Sequence, residues 1–60
     1  MSELERKILE IELQGVKEIL DFHVKLVEIQ GLTPEREAHI DAILDLINEY
    51  LILLSNDNNE

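Results

Sequence analysis

A chain of 60 residues holds at most one domain, and with no cysteine it has neither a disulfide nor a thiolate metal site to staple a small core. Fourteen Asp and Glu against five Lys and Arg give a formal net charge of −9, which excludes a basic footprint for nucleic acid and makes an anionic membrane surface repulsive. Hydrophobic residues at 45%, most of them Leu, Ile and Val, exclude a disordered acidic tail.

The first element opens at "MSELERKILE". Ser2 is a natural helix N-cap, and Glu3 and Glu5 fall in the first turn, where the helix dipole favours negative charge. The stretch is charged throughout and lacks the apolar run of a signal peptide. From there to Gln30 the chain has no proline and one glycine. Its apolar residues recur at helical spacing. Glu3 with Lys7 and Asp21 with Lys25 are i,i+4 pairs in the favoured order. One long helix is expected over residues 2–30.

This helix carries two apolar stripes. Leu4, Ile8, Ile11, Gly15, Ile19, Phe22, Leu26 and Ile29 form one. Leu9, Leu13, Val16, Leu20, Val24 and Val27 form the other, about 140° away at 100° per residue. A thin polar line of Glu5, Glu12, His23 and Gln30 separates them. A helix in a simple hairpin needs one apolar face, and the surplus stripe would be a large exposed patch on a monomer. Either stripe can face a second helix. The stripe from Leu9 to Val27 is assigned to self-association.

"IQGLTPERE", Ile29 to Glu37, is a stop followed at once by a start. Gly31 is read as the left-handed residue that ends the first helix. Leu32 is read as a hydrophobic staple, Thr33 as the next N-cap, and Pro34 as the first residue of the new helix, where its missing N–H is harmless. Glu35 and Glu37 again sit in a first turn. A turn over 31–33 is too short for anything but antiparallel helices.

The second helix is expected over about 34–54, with Ile40, Ile43, Leu44, Leu46, Ile47, Tyr50, Leu51 and Leu54 as a wide apolar face. "SNDNNE", residues 55–60, reads as a polar frayed tail. The longest apolar run, "YLILL" at Tyr50 to Leu54, is far short of the roughly 20 residues that span a bilayer. A cytoplasmic location is expected.

The antiparallel register places Gly15 near Ile47 to Tyr50, so Tyr50 is expected to lie over Gly15. It also sets His23 near His39. Those two histidines are the candidates for a metal pair or a pH-sensitive contact, against the plainer reading as edge residues. No Asp or Glu at i+4 accompanies His23, so no metal and no cofactor is expected. Asp41, Asp45 and Glu49 form an acidic ridge at i, i+4 and i+8, suited to a basic protein partner or to plain solvation. One helix offers too few oxygens to cage a hard cation. No phosphate loop and no nucleophile–base–orienter set is present, so the chain is not expected to be an enzyme.

Two helical-hairpin groups are similar in layout. The hairpin resembles the repressor-of-primer group of plasmid regulators, whose hairpins dimerise into a four-helix bundle and bind RNA. That likeness implies the fold, since RNA binding needs a basic face. "GLTPE" (Gly31 to Glu35) and "LINEY" (Leu46 to Tyr50) resemble the small sporulation aspartyl-phosphate phosphatases. Their second helix opens Ser-Gln-x-Leu-Asp. "DAILD" keeps Leu44 and Asp45 and has Asp41 and Ala42 where the Ser and Gln would stand.

The expectation is therefore a single all-α domain over 1–60, an antiparallel two-helix hairpin that homodimerises into a four-helix bundle. Its expected role is that of a small acidic protein-binding regulator or inhibitor of bacterial, phage or plasmid style, with Asp41, Asp45 and Glu49 facing the partner. The alternatives are an acidic nucleic-acid mimic that blocks a basic DNA-binding protein, a degenerate relative of the sporulation phosphatases, and a structural oligomerisation module.

Overall fold

A computed structural model of the chain describes residues 2–57. It consists of two α-helices, α1 (Glu3–Gln30) and α2 (Pro34–Asp57), folded back on each other as an antiparallel hairpin. No strand occurs among the described residues. α1 starts where its chemistry says it should. The Ser2 hydroxyl accepts from the backbone N–H of Glu5 at 3.1 Å, and the Glu5 carboxylate accepts from the Ser2 hydroxyl at 3.0 Å and from the Ser2 N–H at 3.4 Å. This reciprocal box satisfies donors that the first helical turn otherwise leaves open. The two expected i,i+4 ion pairs form, Lys25–Asp21 at 2.9 Å and Lys7–Glu3 at 3.9 Å, and Arg6–Glu10 joins them at 3.3 Å.

The connection is as short as expected, but its detail differs. The Gly31 N–H donates to the Val27 carbonyl at 2.8 Å, closing the last turn of α1. Gly31 has φ +89°, with ψ at 163° rather than in the left-handed helical basin. That combination is accessible essentially to glycine alone. The chain thus leaves α1 in an extended direction, and Leu32 does not pack back. It is 60% exposed. A staple would pair it with the fourth residue of α2, and that residue is the charged Glu37. Thr33 caps α2 as expected: its hydroxyl accepts from the Arg36 N–H at 3.2 Å, and its carbonyl accepts from Glu37 at 2.9 Å. Arg36 then reaches back over the turn. Its guanidinium donates to the Gly31 carbonyl at 2.9 Å and to the Gln30 side chain at 2.7 Å, tying the start of α2 to the end of α1.

α2 continues through Ser55, Asn56 and Asp57, past the expected stop near residue 54. Those residues are polar, but none is a Gly or Pro that would break the helix. The remainder of the expected tail, residues 58–60, lies outside the described residues.

The interior follows a strict pattern. In α1 the line Arg6, Leu9, Leu13, Val16, Leu20, His23 and Val27 is buried or half-buried, with gaps alternating between three and four residues. Along α2 and its cap the half-buried residues are Thr33, Arg36, Ile40, Ile43, Ile47, Tyr50 and Leu54, with the same alternation. This is the 3.5-residue period of two helices that pack side by side along their length. Two contacts fix the register. The His23 and His39 rings lie 5.7 Å apart, and the Tyr50 hydroxyl donates to the Glu12 carboxylate at 2.8 Å. Eleven residues back along α1 correspond to eleven residues forward along α2, so the register does not slip.

A rod results. Its Cα extents are 44 × 15 × 12 Å, and its radius of gyration is 14.0 Å against the ~10 Å of a compact domain of this length. Leu13, at 6% exposure, is the one buried hydrophobic side chain among the described residues. A layer two helices thick has no room for a second.

Candidate functional site

The structure turns the two stripes of α1 the opposite way from the assignment made on sequence. Leu9, Leu13, Val16, Leu20 and Val27, expected to meet a second molecule, lie on the line turned toward α2. Val24, from the same set, is at its edge and exposed. The physical reason is spacing. The Leu9–Val27 stripe keeps the alternation of three and four that matches α2, once His23 is counted as part of it. Most of the other stripe is left outside, with Leu26 half-buried. Leu4, Ile8, Ile11, Ile19, Phe22 and Ile29 are all exposed, Ile11 at 72% and Ile29 at 80%.

This outer stripe continues onto α2. A shallow open groove is lined by Ile19 and His23 from α1 and by His39, Ala42 and Ile43 from α2. A second is lined by Leu46, Glu49, Tyr50 and Leu53. Both helices thus present one long apolar face on the same side of the rod. Tyr50 stands at its edge. Its hydrogen bond to Glu12, together with the negative charges of Glu12 and Glu49, pushes the phenol above its ordinary pKa.

Gly15 lies on this face, half-buried only by its own helix. A Cβ built there would meet nothing within 4 Å. The expected stacking of Tyr50 over Gly15 therefore does not occur: the ring is committed to Glu12, and the glycine answers no close approach within the hairpin. In a helix interior a glycine costs about 1 kcal/mol relative to alanine.

His23 and His39 do come together, tilted at 58°, with Phe22 edge-on to His23 at 5.8 Å. Among the described residues no group of three or more His, Asp or Glu is placed to hold a metal ion. The pair belongs to the groove.

The acidic ridge sits on α2. Asp41, Asp45 and Glu49 are exposed and make no ion pair among the described residues. α2 has a single base, Arg36, and its guanidinium is engaged at the turn. The ion pairs Lys7–Glu3, Arg6–Glu10 and Lys25–Asp21 all lie within α1. Charge is therefore partly compensated on one helix and left bare on the other.

Sequence reasoning missed three features. The Arg36 clamp was legible in principle, because a long donor three residues after a cap can reach the open carbonyls of the preceding helix. The Tyr50–Glu12 bond was legible from the register. His23 as an interior residue was obscured by counting it as polar.

Comparison with protein-family models, curated proteins and solved structures yields no match, for the sporulation phosphatases or any other group. Among the described residues no helix is long and apolar enough to cross a membrane.

Proposed function

We propose that this chain is a small, acidic, non-enzymatic regulator of the cytoplasm, which pairs with itself as a four-helix bundle and binds a basic protein partner. One observation carries the reading: the rod has two differently built surfaces. A long apolar face runs along α1 and onto α2, and an uncompensated acidic ridge of Asp41, Asp45 and Glu49 runs along α2. Water is a poor neighbour for the first, and like charges four residues apart destabilise the second. Each surface becomes favourable against a complement, apolar for one and basic for the other.

Self-association comes first because the hairpin is thin. With Leu13 alone buried among the described residues, two helices this long bury too little apolar surface to offset the ordering of so many residues. Two hairpins joined through their apolar faces form the economical bundle. The bundle would then carry the ridge on its outside twice.

The same ridge supports a second reading, an acidic mimic of nucleic acid. Its carboxylates recur about every 6 Å along the helix axis, four residues at a rise of 1.5 Å. Such a mimic would occupy the DNA-binding surface of its partner.

The test is capture of the partner from cells of the source organism by wild-type chain and by the Asp41→Lys, Asp45→Lys double variant. A basic partner retained by the wild type at low salt and lost by the variant supports the reading, because exposed charges are screened within about 8–10 Å. If the captured protein binds DNA and releases it on capture, the mimic is the correct form. A partner held equally by both chains would remove the ridge from the mechanism.

A further inference from the structure

We infer that the outer stripe of α1 is a two-fold self-docking face whose symmetry axis passes at Gly15. This rests on the self-association proposed above and specifies how it occurs.

The spacing carries the inference. The outer stripe runs Leu4, Ile8, Ile11, Gly15, Ile19, Phe22, Leu26. Its gaps are four, three, four, then four, three, four: the sequence of gaps is its own mirror image about Gly15. The inner stripe, Leu9 to Val27, alternates strictly, so its mirror centre falls in the gap between Val16 and Leu20 and on no residue of the stripe. A two-fold interface is isologous, so each residue a given distance before the axis meets the residue the same distance after it on the other copy. With α1 antiparallel to the second copy's α1, Gly15 meets Gly15, Ile11 meets Ile19, Ile8 meets Phe22, and Leu4 meets Leu26. Every apolar position of the stripe then faces an apolar position.

Gly15 fits the axis. It weakens the helix, and nothing within its own hairpin approaches it. At the crossing point of two identical helices a side chain would meet its own copy, and the absence of one lets the backbones come close. The position is also near the middle of α1, Glu3–Gln30, so the pairing uses most of the helix.

Charge and area select a second copy rather than a foreign chain. Of the residues that line the two grooves of this face, Glu49 is the one acid, so an equally acidic copy, itself carrying −9, meets few like charges there. The rod is 44 Å long and 15 Å wide at the Cα level, which gives a face on the order of the ~800 Å² that each side of a stable interface buries.

The chain has no native cysteine, so cysteine cross-linking reads the register directly. Gly15→Cys is oxidised in solution, and covalent dimer is measured by mass. A disulfide needs Cα atoms within about 7 Å. Near-complete covalent dimer is expected for Gly15→Cys. Ile8→Cys alone should give almost none, because the two copies of residue 8 lie about 21 Å apart along the axis. Mixed with Phe22→Cys, it should give the heterodimer. Sedimentation of the unoxidised variants accompanies the cross-linking. A dimer in which Gly15→Cys fails to cross-link, or Ile8→Cys cross-links to itself, overturns the two-fold register and leaves self-association standing. A folded monomer overturns both.

Discussion

The inner and outer stripes of α1 are both mainly aliphatic, the inner built of Leu and Val and the outer largely of Ile and Leu, and they meet different fates. The inner one, Leu9 to Val27, alternates three and four without a break and finds a matching line on α2. The outer one, Leu4 to Ile29, doubles a gap of four around Gly15 and meets water. Hydrophobicity alone does not say which stripe a hairpin buries, because both stripes are apolar. Period does. A second helix that lies alongside for its whole length selects the 3.5-residue line. The stripe centred on Gly15 is left for a different geometry.

The sharpest way to break this contrast is at the one buried side chain among the described residues. Leu13→Ala removes the centre of the inner line and should destabilise by about 2–5 kcal/mol, more than a chain of this size can lose. Helicity at neutral pH should largely vanish. A variant that keeps wild-type helicity would mean that the inner line is not the fold's support.

Ile11→Glu with Ile19→Glu strikes the outer stripe instead. Both positions are exposed in the hairpin, so neither substitution buries a charge inside it. The wild-type melting midpoint should rise with protein concentration, as it does whenever association is linked to folding. The double variant should melt lower, with a midpoint independent of concentration. Equal concentration dependence in both chains would place association elsewhere.

The turn supports both stripes by fixing the register, so its variants should act on both alike. Thr33→Ala should destabilise by about 1 kcal/mol through the lost cap. Gly31→Val forces a branched side chain to φ +89°, at a strain of about 1–3 kcal/mol. Urea melts read both, and an unchanged midpoint in both would refute the roles given to these residues.

The smallest effect lies where the stripes meet, at Tyr50 and Glu12. The phenol is held above its ordinary pKa by its hydrogen bond to Glu12. The folded state therefore holds the proton more tightly than the unfolded state. That contribution is fully present below the ordinary tyrosine pKa near 10 and is lost as pH rises through the folded value. Lys25, raised by its hydrogen bond to Asp21, acts with the same sign. Stability should fall as pH is taken above about 10, and Tyr50→Phe should fall less steeply than wild type. Parallel profiles would show that the bond does not discriminate between protonation states.

What the sequence disclosed and what it hid divide along the same line. Local features were legible. The Ser2–Glu5 box, the Thr33 cap, the positive φ of Gly31 and the antiparallel course each follow from a few adjacent residues whose roles need no third party. The stripe assignment was not legible, because it depends on how well each stripe's period matches a helix elsewhere in the chain. His23 hid the match. Counted as polar, it divided the stripes; in the structure it continues the line of Leu20 toward Val27. Leu32 misled for a related reason: a staple is a property of two positions, and its partner position holds Glu37.

The proposed division of work between the two stripes predicts a dimer in solution. Sedimentation equilibrium of the wild type at micromolar concentration, with helicity followed on the same samples, tests this most directly. The expected result is a single helical species at twice the 7.0 kDa chain mass, losing helix and mass together on dilution. A fully helical species at 7.0 kDa, stable to dilution, would contradict it, because the outer stripe would then face water with no partner of its own kind.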